Sequence, residues 1–144
     1  YHAALAAEIE RVKSIHGIAI LYDCHSIRSH IPFLFEGKLP DFNIGTDMGK
    51  TCDPAIEKIA VEVTASAKGY DSILNGRFKG GWTTRHYGKP QTGVHAIQME
   101  LAQSTHLQSE TLPFAYDAAK AEQLRTYLKT ILTRMERFAL DTKR

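Results

Sequence analysis

Asp23, Cys24, His25, Ser26, Arg28 and His30 fall within eight residues, directly after the apolar run Ile18-Ala19-Ile20-Leu21-Tyr22. Two chemistries suit that cluster. His25 offers a neutral imidazole to a metal ion, with Asp23 as a carboxylate able to orient the ring. Cys24 offers a thiolate nucleophile, which would need His86 or His95 as its base. Neighbouring residues on an extended backbone point to opposite faces, so Cys24 and His25 do not serve one cleft. Nothing at Cys24 marks the helix N-terminus that would lower a thiol pKa. Metal ligation by His25 therefore leads, beside the plainer reading of a structural imidazole at a strand end. No two histidines stand at a local ligand spacing, so a metal site has to be assembled from distant segments.

A second cluster is Asn75-Gly76-Arg77-Phe78-Lys79-Gly80-Gly81, followed by Arg85, His86 and Gly88. Glycines let the backbone turn tightly or approach a ligand, and the planar fork of arginine suits a carboxylate. The Walker phosphate pattern is absent. The alternatives are an anion-holding loop and a solvated glycine-rich hairpin. A third candidate is Glu100, near the end of the run Gly93-Val94-His95-Ala96-Ile97-Gln98-Met99-Glu100-Leu101. Burial would raise its pKa and suit it to general-base work. On the residues alone, exposure at the strand end or an ion pair with an arginine is the preferred reading.

The elements that must hold these residues follow from local rules. Leu5, Ile9 and Val12 recur at helical spacing over residues 2–16 and Gly17 supplies a stop, so an amphipathic helix packed on a sheet is expected. Residues 18–23 read as a buried strand. Residues 24–51 read as a long irregular stretch, anchored by Phe33, Leu34, Phe35, Leu39 and Phe42. Asp53-Pro54 is an N-cap with proline at the first helical position, and Ile56, Ile59, Ala60, Val63 and Ala67 continue the helix to Gly69. Residues 71–75 read as a second strand, which makes a βαβ unit with 18–23. Residues 93–101 alternate weakly as a third strand. Val94, Ala96, Gln98 and Glu100 share one face, and His95, Ile97, Met99 and Leu101 the other. After a loop over 103–116, Asp117 caps a long helix with Leu124, Leu128, Ile131, Met135 and Phe138 on one face. Basic residues are expected to crowd its last turns.

The 144 residues fit one domain, and 43% hydrophobic with 24% charged residues is ordinary globular composition. A net charge of +2, without a basic run, argues against nucleic acid. Two cysteines make no disulfide framework, and no stretch reaches the length of a membrane span, so a cytoplasmic location is expected. No pattern specifies an oligomeric state. The chain opens on Tyr1 close to a helical pattern, as a segment of a larger protein would.

Several stretches together resemble the bacterial N-formylglutamate amidohydrolases, also called N-formylglutamate deformylases. They are Asp23 to Ser29, Leu34 to Asn43, Asn75 to Gly81, Thr84 to Gly88 and Gly93 to Leu101, in the same order and with similar gaps over Tyr1 to about Leu132. The resemblance implies an α/β fold: a mixed, mostly parallel sheet flanked by helices, like the zinc carboxypeptidases (the phosphorylase/hydrolase-like fold). It implies a metal-dependent hydrolase, zinc first among divalent metals, that cleaves the formamide of N-formyl-L-glutamate to formate and glutamate in histidine breakdown. By the family pattern His25, followed by Ser26, is a metal ligand and Glu100 the general base. Arg85 is the candidate for the oxyanion, and Arg28, Arg77, Lys79 and His86 are candidates for the substrate carboxylates. The family's other ligands, a histidine and an acidic residue, lie in its N-terminal half, so residues 1–144 are expected to be the C-terminal portion of one catalytic domain. The alternatives are a non-catalytic carboxylate-binding fragment and a hydrolase of another N-acyl amino acid.

Overall fold

The computed structural model describes residues 1–142. Helix α1 (His2–His16) ends as expected: Gly17 takes a left-handed φ of 76° and its amide donates to the Lys13 carbonyl at 2.7 Å. Strand β1 (Ala19–Ile27) follows, then β2 (Phe42–Gly45), helix α2 (Pro54–Ala65), strand β3 (Ser72–Leu74), the short helix α3 (Trp82–Tyr87), strand β4 (Val94–Ala102) and helix α4 (Ala118–Thr142). The four strands form one mixed sheet in the order β1-β4-β2-β3. β1 runs parallel to β4, β2 antiparallel to β4, and β2 parallel to β3.

One face of the sheet carries the core. Phe42, Ile44, Ile97 and Met99 pack with Ile56, Ile59, Ala60 and Val63 of α2 and with Leu124, Ile131 and Met135 of α4. Leu128 and Phe138 pack half-buried at its margin, so the expected stripe of α4 is core. The Asp53 carboxylate accepts from the Ala55 amide at 2.8 Å and starts α2; Asp117 accepts from the Ala119 and Lys120 amides and starts α4. No helix among the described residues is long and apolar enough to cross a membrane.

Several expectations change. β1 runs four residues past Asp23, because parallel pairing with β4 continues from Ala19↔Val94 to Ile27↔Ala102. Cys24 and His25 therefore stand on the strand rather than in a loop beyond it. The stretch 24–51 is not wholly irregular, since β2 lies inside it. The βαβ unit is β2-α2-β3, and β1 and β3 are the two edges of the sheet rather than neighbours. Helix α2 ends at Ala65, before Gly69. The glycine-rich stretch contains α3, and residues 103–105 form a single 3-10 turn. Arg134 and Arg137 stand in the closing turns of α4, as expected, but its final turn holds no basic residue, and Lys143 and Arg144 lie outside the described residues.

Candidate active site

The parallel register sets His25 of β1 opposite Glu100 of β4, and Asp23 opposite Gln98. The antiparallel register of β2 sets Asn43 opposite Glu100 and Gly45 opposite Gln98. Residues level with one another on adjacent strands point to the same face. Asp23, His25, Asn43, Gln98 and Glu100 thus share the face opposite the core.

Glu100 is 6% exposed, which overturns the expectation of an exposed strand-end carboxylate. No ion pair to an arginine is found for it among the described residues. Its Oε2 accepts a hydrogen bond from Gln98 Nε2 at 3.1 Å. Burial pushes the Glu100 carboxyl above the ordinary carboxylate range and the Asp23 charge adds to that push, while His25 and the Gln98 hydrogen bond act the other way. The site therefore presents a carboxyl that holds a proton more readily than one in water.

Asp23 bridges two elements. Its Oδ1 lies 2.9 Å from His25 Nε2, and its Oδ2 accepts from Thr84 Oγ1 of α3 at 3.3 Å. With Nε2 engaged, the Nδ1 atom of the half-exposed His25 ring is the one available to a ligand. Cys24, one residue away, points to the other face, and partial burial together with the Asp23 charge raises its thiol pKa. Both observations disfavour the nucleophile reading. His95, the other base considered for it, is buried on the core side and accepts the Asp53 amide at Nδ1.

The glycine-rich segment lies against this face because β2 makes room for it. Gly45 sits level with Gln98, and a Cβ there would stand 2.7 Å from the Lys79 carbonyl carbon and closer still to the Gly80 nitrogen. Gly80 itself has φ +109°, a conformation that L side chains rarely adopt. The Lys79 carbonyl accepts from the Asp47 amide at 2.6 Å, and the Gly81 amide donates to Gln98 Oε1 at 2.5 Å. The result is a cleft of about 400 Å³ walled by Arg77, Lys79, Arg85 and Gln98. The Arg85 guanidinium donates to the Gly80 carbonyl, and Arg77 Nε donates to the Leu34 carbonyl at 2.9 Å.

Three of the candidate cations are thus brought together, and two candidates lie elsewhere. Arg28 lines a different groove with Ser26, Gln103 and His106. His86 stacks on Trp82 with ring centroids 4.1 Å apart. Gln98, Asn43 and Thr84 were not singled out from the sequence. Gln98 could have been, since it stands two residues before Glu100 on the same strand face. Asn43 donates to the Glu100 carbonyl at 3.1 Å, and its own Oδ1 is buried without a partner; no local pattern marks it.

As to a metal, the described residues contain no group of three or more histidine, cysteine, aspartate or glutamate side chains able to hold one. The donor chemistry fits a single ligand, the Asp23-backed imidazole of His25.

Residues 1–107 match the family model described as N-formylglutamate amidohydrolase. The chain is 53% identical to the N-formylglutamate deformylase of Pseudomonas aeruginosa and 52% identical to that of Pseudomonas putida, each over 132 residues. These alignments cover 92% of this chain and 49% of each relative, so the chain spans about half the length of the curated relatives it matches. The crystal structure of N-formylglutamate amidohydrolase from Ralstonia eutropha JMP134 superposes with a TM-score of 0.80 at 24% identity, covering 94% of this chain and 50% of that one. That superposition shows the same mixed α/β fold.

Proposed function

The chain belongs to the N-formylglutamate amidohydrolase family, and on that premise we propose that its polar sheet face is part of the active site of a metal-dependent hydrolase. The substrate is N-formyl-L-glutamate, cleaved at the formamide C–N bond by water to formate and glutamate in histidine breakdown. In this reading residues 1–144 are the C-terminal portion of one catalytic domain of a cytoplasmic enzyme with the zinc carboxypeptidase-like fold.

The observation that carries the reading is the buried Glu100 carboxyl, level with His25 and held by the residue that walls a cationic cleft. Glu100 takes a proton from the attacking water and returns it to the departing nitrogen. His25 is one metal ligand, oriented by Asp23, and the remaining donors would come from the half of the family that this chain does not span. A bound divalent metal, zinc first, would supply polarisation of the water or the formyl oxygen. Arg85 faces the developing oxyanion, and Arg77 and Lys79 hold substrate carboxylate. A dianionic substrate explains why three cations line one cleft despite their mutual repulsion. Arg28 and His86, placed apart from that cleft, would act on substrate only from its periphery.

The test is metal content and formate release from N-formyl-L-glutamate, with and without added zinc, on this chain and on a chain carried to the length of its relatives. Stoichiometric metal and formate release by the longer chain is the expected result. Release from a different N-acyl amino acid alone would replace the substrate. Carboxylate binding with no hydrolysis by either chain would favour the second reading, an anion-binding module, which the three-cation cleft also supports.

A further inference from the structure

Gln98 stands where the two halves of the candidate site meet. The residue is 5% exposed and both ends of its amide are used. The Gly81 amide can only donate, so the Gln98 oxygen must face Gly81 and its NH2 group must face Glu100. The Glu100 oxygen that meets this NH2, Oε2, must then be an acceptor. A proton arriving on Glu100 is directed to the other oxygen, Oε1. On its loop side, Gln98 fixes the amide that opens α3, directly after Arg77, Lys79 and Gly80. Gly45 supports the same junction, because only the absence of a side chain there lets residues 79–80 reach the strand.

We propose that Gln98 is a positioning residue that yokes the anion-holding loop 77–81 to Glu100, presenting Oε1 as the proton-accepting oxygen. This rests on the hydrolase reading above for its catalytic consequence, and on the geometry alone for the yoke. Loop and base are then one unit: a carboxylate that draws in Arg77 and Lys79 also steadies the Gly81–Gln98–Glu100 chain.

Two near-isosteric variants separate the two ends of the amide. Gln98→Met loses both hydrogen bonds. Gln98→Glu keeps an acceptor for Gly81 but replaces the neutral amide facing Glu100 with a carboxyl that shares one proton with it. Amide hydrogen exchange at Gly81 is read on this chain by NMR. It should speed up about tenfold in Gln98→Met, as the loss of one hydrogen bond predicts, and stay near wild type in Gln98→Glu. Steady-state hydrolysis of N-formyl-L-glutamate is read on the chain carried to its relatives' length. Gln98→Glu should lower kcat about 100-fold with KM near wild type, because a carboxylate that shares a proton with its neighbour is a poor acceptor for the water's proton, which costs rate rather than binding. Gln98→Met should lower kcat similarly and also raise KM. Unchanged Gly81 exchange in Gln98→Met, or wild-type kcat in Gln98→Glu, overturns the proposal. So does a loss of activity in both variants that merely tracks the folded fraction. A wild-type chain of full family length that releases no formate overturns the hydrolase reading instead, and the yoke is then decided by Gly81 exchange alone.

Discussion

Replacing Gly45 by alanine probes how the cationic loop is seated. The φ of Gly45 lies outside the left-handed region, so the backbone itself accepts alanine, and the whole effect of the substitution is steric. The added methyl would meet backbone on the far side, the Lys79 carbonyl carbon at 2.7 Å and the Gly80 nitrogen closer still. A flexible side chain could swing away from such a contact, but peptide atoms held by the Asp47 and Gly81 hydrogen bonds cannot. Overpacking of this kind typically costs about 1–3 kcal/mol. At about 3 °C per kcal/mol for a chain of this size, Tm should fall by about 3–9 °C. The loop should also lift from the strand, so exchange at the Gly81 amide accelerates and the cleft walled by Arg77, Lys79 and Arg85 changes shape. Thermal unfolding followed by circular dichroism, with amide exchange on the same sample, measures both effects. A Tm within about 1 °C of wild type together with unchanged Gly81 exchange would refute the view that β2 contributes an empty position for the loop.

Two further outcomes are expected. Glu100→Gln, in a chain carried to its relatives' length, should cut turnover by about 10²–10⁴-fold while leaving metal content unchanged, checked by formate release and metal analysis; unaltered turnover removes Glu100 from the base role. His95 is buried, and burial holds its pKa below the usual histidine value against the smaller pull of Asp53. The folded state therefore keeps the ring neutral, with Nδ1 accepting the Asp53 amide, while the unfolded chain takes up a proton below about pH 6.5. This contribution to stability is complete above that pH and is lost as the pH falls, by at most about 1.4 kcal/mol per pH unit. Urea unfolding at mildly alkaline and mildly acidic pH should show a shallower loss in His95→Asn, and an identical slope in the variant would sink the assignment.

Much of this protein was legible in its sequence because much of it is governed by local rules. The stop of α1 at Gly17, the Asp53-Pro54 start of α2 and the Asp117 start of α4 each depend on residues within a few positions of one another. The apolar stripe of α4 and the shared face of Gln98 and Glu100 follow from the periods of helix and strand. The family, too, was readable from motifs lying in order along the chain.

The environment of each chemical group was decided only by tertiary structure. Whether Glu100 is exposed, paired with arginine or buried depends on which strands flank β4, and strand order rests on hydrogen bonds between segments more than fifty residues apart. The extension of β1 through His25 comes from its pairing with β4 rather than from its own residues, which turn polar at Asp23. Strand β2 stayed hidden because four residues give too short a pattern, and its antiparallel register is what carries Asn43 to Glu100 and Gly45 to Gln98. The separation of Arg28 from Arg77, Lys79 and Arg85 has the same origin. A guanidinium reads alike in any loop, and only the packed chain determines which arginines face a common cleft.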